Sequence, residues 1–373
     1  MKISAAVLRT VGADRPYAQS SPLVIEELEL APPRRGEVLV RVVAAGLCHS
    51  DLSVINGDRP RPLPMALGHE AAGIVEELGA GVSGFEVGDH VVLIFMPSCG
   101  HCTYCCEGRP ALCEVGAAAN ASGTLLGGGT RLSGPTGPVL HHLGCSAFAT
   151  HAVVSEKSLI RVDKELPLHE AALFGCAVLT GVGAAMNTAQ VKRGDSVVVV
   201  GLGGVGLAAL LGAKAAGAAR IIAVDLSPEK LALAAELGAT DCLDGGDRDA
   251  VGDFGRATGG ADIALEMAGS IPALETAFSL TKRGGTTVTA GLPPATSTLP
   301  LSVVQLVAEE RTLKGSYIGS CVPARDIPRY IALYRAGQLP VDRLVSGLLN
   351  LEEINAGFDR LAAGGAVRQI VQF

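Results

Sequence analysis

The run Ser196-Val197-Val198-Val199-Val200-Gly201-Leu202-Gly203-Gly204-Val205-Gly206 decides the fold. Its first half is a short apolar stretch of strand length. Its second half fits G-x-G-x-x-G and opens into an Ala- and Leu-rich helical segment running to Ala216. Gly201 permits the tight turn, and Gly203 lets the backbone approach a pyrophosphate. Gly204 and Val205 begin a helix whose N-terminal N–H groups face the phosphates, and Gly206 lets that helix pack closely on the strand. The next strand, 221–225, ends on Asp225, 19 residues past Gly206. A carboxylate there can accept hydrogen bonds from an adenosine ribose diol and repels a 2′-phosphate, which favours NAD over NADP. The same carboxylate could instead cap the turn before Pro228.

Outward from this unit, Pro228–Leu237 reads as a helix with proline in its first turn, and 262–265 and 286–290 as further strands. Strands alternating with helices predict a doubly wound parallel sheet, a Rossmann coenzyme domain over 177–317. The first 176 residues are different in texture. Val38-Leu39-Val40-Arg41-Val42-Val43, Gly73-Ile74-Val75 and His90-Val91-Val92-Leu93-Ile94 are short β-type runs between Gly and Pro, which predicts a largely β domain. The last fifty residues return to shorter elements and are expected to complete that first domain, over 318–373.

A chain of 373 residues suits two domains. Hydrophobic residues at 48% provide a core, and 48 glycines with 3% aromatics suit the tight turns and close helix–sheet packing of an α/β protein. The net charge of −7, with no basic run, argues against a nucleic-acid partner. The lack of an 18-residue apolar stretch or a signal-peptide pattern leads us to expect a cytoplasmic protein without a membrane partner.

Cys99, Cys102, Cys105 and Cys113 are spaced C-x2-C-x2-C-x7-C. Such a lobe can close four thiolates around one tetrahedral Zn²⁺ and leave no open position; disulfides are the alternative. Cys106 is expected to point elsewhere. Cys48, His69 and Cys176 are dispersed, and spacing alone would leave each as an ordinary buried residue.

Gly46-Leu47-Cys48-His49-Ser50-Asp51, Gly68-His69-Glu70, the four-cysteine lobe, Gly201 to Gly206 and Asp225 together resemble the zinc-containing medium-chain alcohol dehydrogenases, almost from end to end. The segment 116–138 leading into His141-His142-Leu143-Gly144 resembles the longer branch with the liver-type and glutathione-dependent enzymes. The resemblance implies a β-rich GroES-like catalytic domain beside the Rossmann domain, and two zinc ions per subunit with NAD. Cys48, His69 and Cys176 would hold a catalytic zinc with its fourth position open to water or alcohol. Asp51 would orient His69, and Glu70 would stand behind the metal. Ser50 would be the first proton acceptor. Thr180 would contact the nicotinamide side, His49 and Arg368 would lie near the pyrophosphate, and Lys230 would lie near the adenosine. Phe95, Leu143, Leu292 and Tyr317 would line the substrate channel, with Leu292 also against the coenzyme. A homodimer or homotetramer is implied.

The sequence departs from the family at Ser53, where liver-type enzymes often carry the histidine that ends the proton relay. The acidic and arginine pattern of the glutathione-dependent branch is reduced to Asp58 beside Arg59, and Glu114-Val115-Gly116-Ala117-Ala118 contains no arginine. The expected reaction is therefore reversible hydride transfer between a hydrophobic, aliphatic or aromatic alcohol and NAD. A thiol-adduct formaldehyde dehydrogenase is the second enzyme reading. A non-catalytic zinc- and NAD-binding redox sensor is a third, disfavoured by the complete ligand set.

Overall fold

The computed structural model describes all 373 residues, and they cluster into two compact units. Unit one comprises 1–176, 322–328 and 345–373; unit two comprises 177–321 and 329–344. The expected return to the first domain at 318 is therefore corrected. Residues 318–321 and 329–344 belong with the coenzyme unit, and the helix Pro323–Arg335 is divided between the units at its internal Pro328. The sequence offered no composition change to mark that division.

Unit one is built on the strand Glu37–Gly46, whose apolar run is buried on both faces. It pairs antiparallel with Glu70–Leu78, His151–Ser155 and Arg368–Gln372, and Glu70–Leu78 pairs in turn with His90–Leu93. The register fixes where side chains converge. Gly46 stands opposite both Glu70 and Ile370, and Ala71 stands opposite Leu93. Residues just beyond these pairs, namely Cys48, His69, Arg368 and Phe95, are thereby delivered to one end of the sheet. A second, closed barrel includes Lys2–Leu8, Leu23–Leu30, Leu132–Gly134, Gly137–His141 and Met65–Ala66. Its core includes Ile3, Val7, Leu28, Leu132 and Val139.

Unit two is a six-stranded parallel sheet in the order Asp241–Asp244, Arg220–Asp225, Ser196–Val200, Ala261–Glu266, Thr281–Thr289, Thr312–Gly315. The chain order reverses on either side of Ser196–Val200, which makes its C-terminal end a topological switch point where ligands bind in open α/β sheets. No single helix is long and apolar enough to cross a membrane.

Candidate active site and coenzyme cleft

Cys48 is the N-cap of the short helix His49–Ile55. The Asp51 carboxylate, one turn on, accepts the Cys48 backbone N–H at 3.2 Å through Oδ2 and turns Oδ1 to His69 Nδ1 at 3.0 Å. His69 follows Gly68, whose φ of +94° and lack of a Cβ are both required: a Cβ would lie 2.4 Å from Phe148 N. Cys176 is placed by Gly175, which packs against the Leu93 carbonyl where a Cβ would sit 2.4 Å from the oxygen.

These turns bring Cys48, His69 and Cys176 together in a buried triangle. The sulfurs are 4.0 Å apart, and Cys176 Sγ is 3.5 Å from His69 Nε2. Tetrahedral zinc ligands at about 2.3 Å for sulfur and about 2.0 Å for nitrogen stand about 3.8 Å and about 3.5 Å from one another. The triangle therefore fits zinc without rearrangement. Its electrostatics agree. The two thiols share a proton, which holds Cys48 well below the ordinary thiol range and Cys176 well above it. Burial opposes charge on His69, but Asp51 and Cys48 outweigh it and raise its affinity for a proton. A site that concentrates negative charge around an imidazole attracts a divalent cation.

Glu70 is fully buried, and neither carboxylate oxygen has a hydrogen-bond partner. Burial pushes its carboxyl up to about 7 against the pull of Arg368, whose Nη1 is 3.7 Å away. Arg368 is itself 3% exposed and donates to the Leu47 carbonyl. It is thus buried beside Glu70, close to the Cys48–His69–Cys176 triangle, a placement that the expected pyrophosphate role did not foretell. Phe95 meets the His69 ring edge-on at 5.2 Å, and both Phe95 and Leu143 are buried. Leu292 and Tyr317 belong to unit two and are exposed there, at 52% and 38%. Ser50 is half-buried and His49 exposed. Ser53 is buried and donates its hydroxyl to the His49 carbonyl, so that position is closed into the helix.

Cys99, Cys102, Cys105 and Cys113 bring their sulfurs within 4.8 Å of one another, and none is in a disulfide. The backbone N–H groups of Cys99 and Gly116 both point at Cys113 Sγ, at 3.2 and 3.3 Å. Hydrogen bonds from the Cys105 and Glu114 backbones lower the Cys102 thiol to about 6, whereas burial raises Cys105 to about 12. Donors aimed at sulfur stabilise thiolates, and four thiolates in this space fit a second zinc. Cys106 is exposed, outside the cluster, and turned toward the His101 carbonyl.

In unit two the glycine loop has the expected shape. Gly201 has φ +89° and abuts Ala268; a Cβ on Gly206 would strike the Gly201 carbonyl at 1.8 Å; Gly203 faces open space. That opening, at the N-terminus of the helix Gly204–Ala215, suits a pyrophosphate. Beside it lies a cleft of about 530 Å³ lined by Gly201, Val224, Asp225, Leu226, Arg248 and Ser270, among others. Asp225 caps the turn before Pro228, its Oδ1 accepting the Ser227 N–H, while Oδ2 accepts the Leu202 N–H of the glycine loop at 2.5 Å, and the residue lines the cleft. Lys230 is half-buried on the next helix, and Thr180 is half-buried on Ala177–Gly183.

Residues 34–164 match the alcohol dehydrogenase GroES-like domain, and 204–336 match the zinc-binding dehydrogenase family. The provisionally named alcohol dehydrogenase D of Mycobacterium tuberculosis is 41% identical over the full length of both chains.

The chain belongs to the zinc-dependent medium-chain alcohol dehydrogenases.

Benzyl alcohol dehydrogenase from Acinetobacter calcoaceticus is 36% identical with a TM-score of 0.92, covering 100% of this chain and 99% of that one. A provisionally named zinc-binding dehydrogenase from Sinorhizobium meliloti 1021, solved bound to NADP, is 27% identical with a TM-score of 0.81 over the whole of both chains. The family supports zinc and a nicotinamide coenzyme for this chain.

Proposed function

We propose that this alcohol dehydrogenase transfers hydride reversibly between free, apolar primary alcohols, aliphatic or aromatic, and NAD. The observation that carries the reading is the buried Cys48–His69–Cys176 triangle with Phe95 packed against its histidine. When bound there, zinc supplies a Lewis acid that lets an alcohol lose its proton near neutral pH. The chain's own residues do the rest. Asp51 holds the Nδ1 proton of His69, so Nε2 presents its lone pair between the two sulfurs. Phe95 and Leu143 exclude water from the side they cover, and Ser50 accepts the alcohol proton at its hydroxyl oxygen while passing its own hydroxyl proton outward, along a relay to solvent. Glu70 and Arg368 place a compensated charge pair behind the triangle. In unit two, the exposed edge strand Thr312–Gly315 and the exposed Val303, Val304 and Val307 offer a face for the homo-oligomer we also propose.

An apolar wall rewards each buried methylene by roughly 0.8 kcal/mol, or roughly fourfold in kcat/KM. Efficiency is expected to climb from ethanol through hexanol, with benzyl alcohol at the upper end; the benzyl alcohol dehydrogenase named above lends support. The same assay with formaldehyde plus glutathione tests the competing substrate class. A flat alcohol series, or a preference of tenfold or more for the thiol adduct, would overturn the substrate reading.

NAD preference follows from Asp225. Because that carboxylate also ties down Leu202, deleting it would loosen the glycine loop and weaken both coenzymes. Asp225→Asn is the cleaner variant, since it removes the charge while its amide oxygen can still accept the Leu202 N–H, at the loss of the Ser227 contact. Wild-type enzyme should bind NADH at least about tenfold more tightly than NADPH, about 1.4 kcal/mol, and the Asn protein should lose most of that margin. Fluorescence titration of both coenzymes checks it; equal or tighter NADPH binding by the wild type refutes it.

A further inference from the structure

The four-cysteine lobe is an excursion from the catalytic sheet, and one buried side chain closes its stem. The chain leaves the strand His90–Leu93, passes Phe95 and Met96, makes the lobe over 99–113, and returns through the helix Glu114–Ser122. Gly116 and Asn120 stand four apart on that helix and share its buried face. Gly116 lies against the outgoing arm of the stem, where a Cβ would be 2.0 Å from the Pro97 carbonyl oxygen. Asn120, 4% exposed, donates its amide N–H to the Phe95 carbonyl at 2.8 Å and approaches Met96 Sδ at 3.6 Å.

The chemistry of the carboxamide fixes its direction. An amide oxygen turned to the Phe95 carbonyl would set two acceptors against each other, so Nδ2 takes that side. Oδ1 then has no protein donor and faces Gly144, 3.7 Å from where a Cβ would stand. Gly144 follows Leu143, and both are left-handed, at φ 68° and 50°. Asn120 thus fills the space between the segment that carries Phe95 and the loop that carries Leu143. The Phe95 segment is also held from the sheet side, where the Ile94 N–H donates to the Ser158 carbonyl at 2.7 Å.

We propose that Asn120 is a positioning residue that seats Phe95 against His69, so that the lobe sets the selectivity of the alcohol site. This rests on the reading of the triangle as a site for apolar alcohols. The Phe95 ring meets the His69 ring edge-on, and His69 Nε2 is 3.5 Å from Cys176 Sγ. A molecule bound at the triangle therefore has Phe95 within reach of its carbon chain. The backbone of Phe95 carries the ring, and Asn120 holds that backbone, so loss of the amide lets the ring drift. A shift of about 1 Å is enough to cost roughly a hundredfold in a fitted site.

The test compares kcat/KM for benzyl alcohol and for ethanol in zinc-replete enzyme. Asn120→Leu keeps the volume and removes the donor. It should retain its metal and lower the benzyl-to-ethanol ratio by about tenfold or more, mainly through KM for benzyl alcohol. In a Phe95→Ala background there is no ring to misplace, so the same substitution should change the ratio by less than about twofold. A role in stability alone would lower both substrates together. A readout without turnover comes from 4-fluorophenylalanine in place of the eight phenylalanines, the Phe95 resonance being the one absent from Phe95→Ala. Asn120→Leu should shift that resonance. An unchanged ratio overturns the proposal, and so does an unmoved Phe95 resonance or an equal fall in the ratio in both backgrounds. If the Leu protein does not fold, Asn120→Ser replaces it, since a serine hydroxyl ends one bond short of the amide nitrogen; the same results then support or overturn the proposal. Wild-type enzyme that does not distinguish the two alcohols overturns the alcohol reading and the selectivity role with it. A Phe95 resonance still moved by Asn120→Leu would place that failure in the substrate reading and not in the seating of Phe95.

Discussion

Cys176→Ser is expected to fold, to keep the metal of the four-cysteine lobe, and to lose turnover by at least about 10³-fold, about 4 kcal/mol of transition-state stabilisation. Serine is close to isosteric with cysteine, and Cys176 is buried with its sulfur facing Cys48 and His69. Burying a hydroxyl there costs about 1–3 kcal/mol, which a stable domain survives. A ligand must shed its proton to hold zinc, and a serine hydroxyl does not do so at neutral pH. Metal analysis should fall from two zinc ions per chain to one, with an unchanged circular dichroism spectrum. Retention of both ions, or of a tenth of the activity, would refute the assignment of Cys176 to the reacting metal.

The four-cysteine lobe should respond in the opposite way. Cys113 is fully buried, accepts two backbone N–H groups, and serves as the N-cap of the helix Glu114–Ser122. Cys113→Ser removes a metal ligand from a closed set as well as altering that cap. Structural zinc contributes about 10–16 kcal/mol to small zinc-folded peptides, as much as the whole stability of many domains. The substituted protein should be poorly soluble or melt at least about 10 °C lower, since about 1 kcal/mol shifts Tm by about 2–4 °C at this size. Cys106→Ser, on an exposed side chain outside the cluster, should leave Tm unchanged. A Cys113→Ser protein with wild-type Tm would show the lobe to be dispensable for stability.

How much of this was legible in the sequence depended on whether interacting residues are neighbours along the chain. The coenzyme loop is a single run from Ser196 to Gly206, and its geometry is dictated locally: Gly201 must be left-handed, and Gly206 must admit a carbonyl. The four-cysteine lobe spans fifteen residues, 99–113, so spacing alone implies convergence. Cys48, His69 and Cys176 became a candidate set only through resemblance, because their convergence is the product of strand register. Gly46 opposite Glu70, Ala71 opposite Leu93, and Gly175 against Leu93 bring together residues up to 128 apart.

The tertiary structure alone decided three further points. Arg368 lies buried beside Glu70 because its strand pairs with the far side of Glu37–Gly46, a pairing that no local pattern encodes. His142 lies beside Asp51 because a loop with left-handed residues folds back on the Met65–Ala66 segment; the His141-His142 pair was visible in the sequence, but its place beside Asp51 was not. Residues 329–344 joined the coenzyme unit because Ile331, Leu339, Val341 and Leu344 are buried with it, and the helix they continue begins in the other unit. Local backbone geometry and ligand spacing are properties of a short stretch of chain, so the sequence determined them by itself. The surroundings of a buried charge depend on which distant strands pair and in what register, and those are set only when the whole core closes.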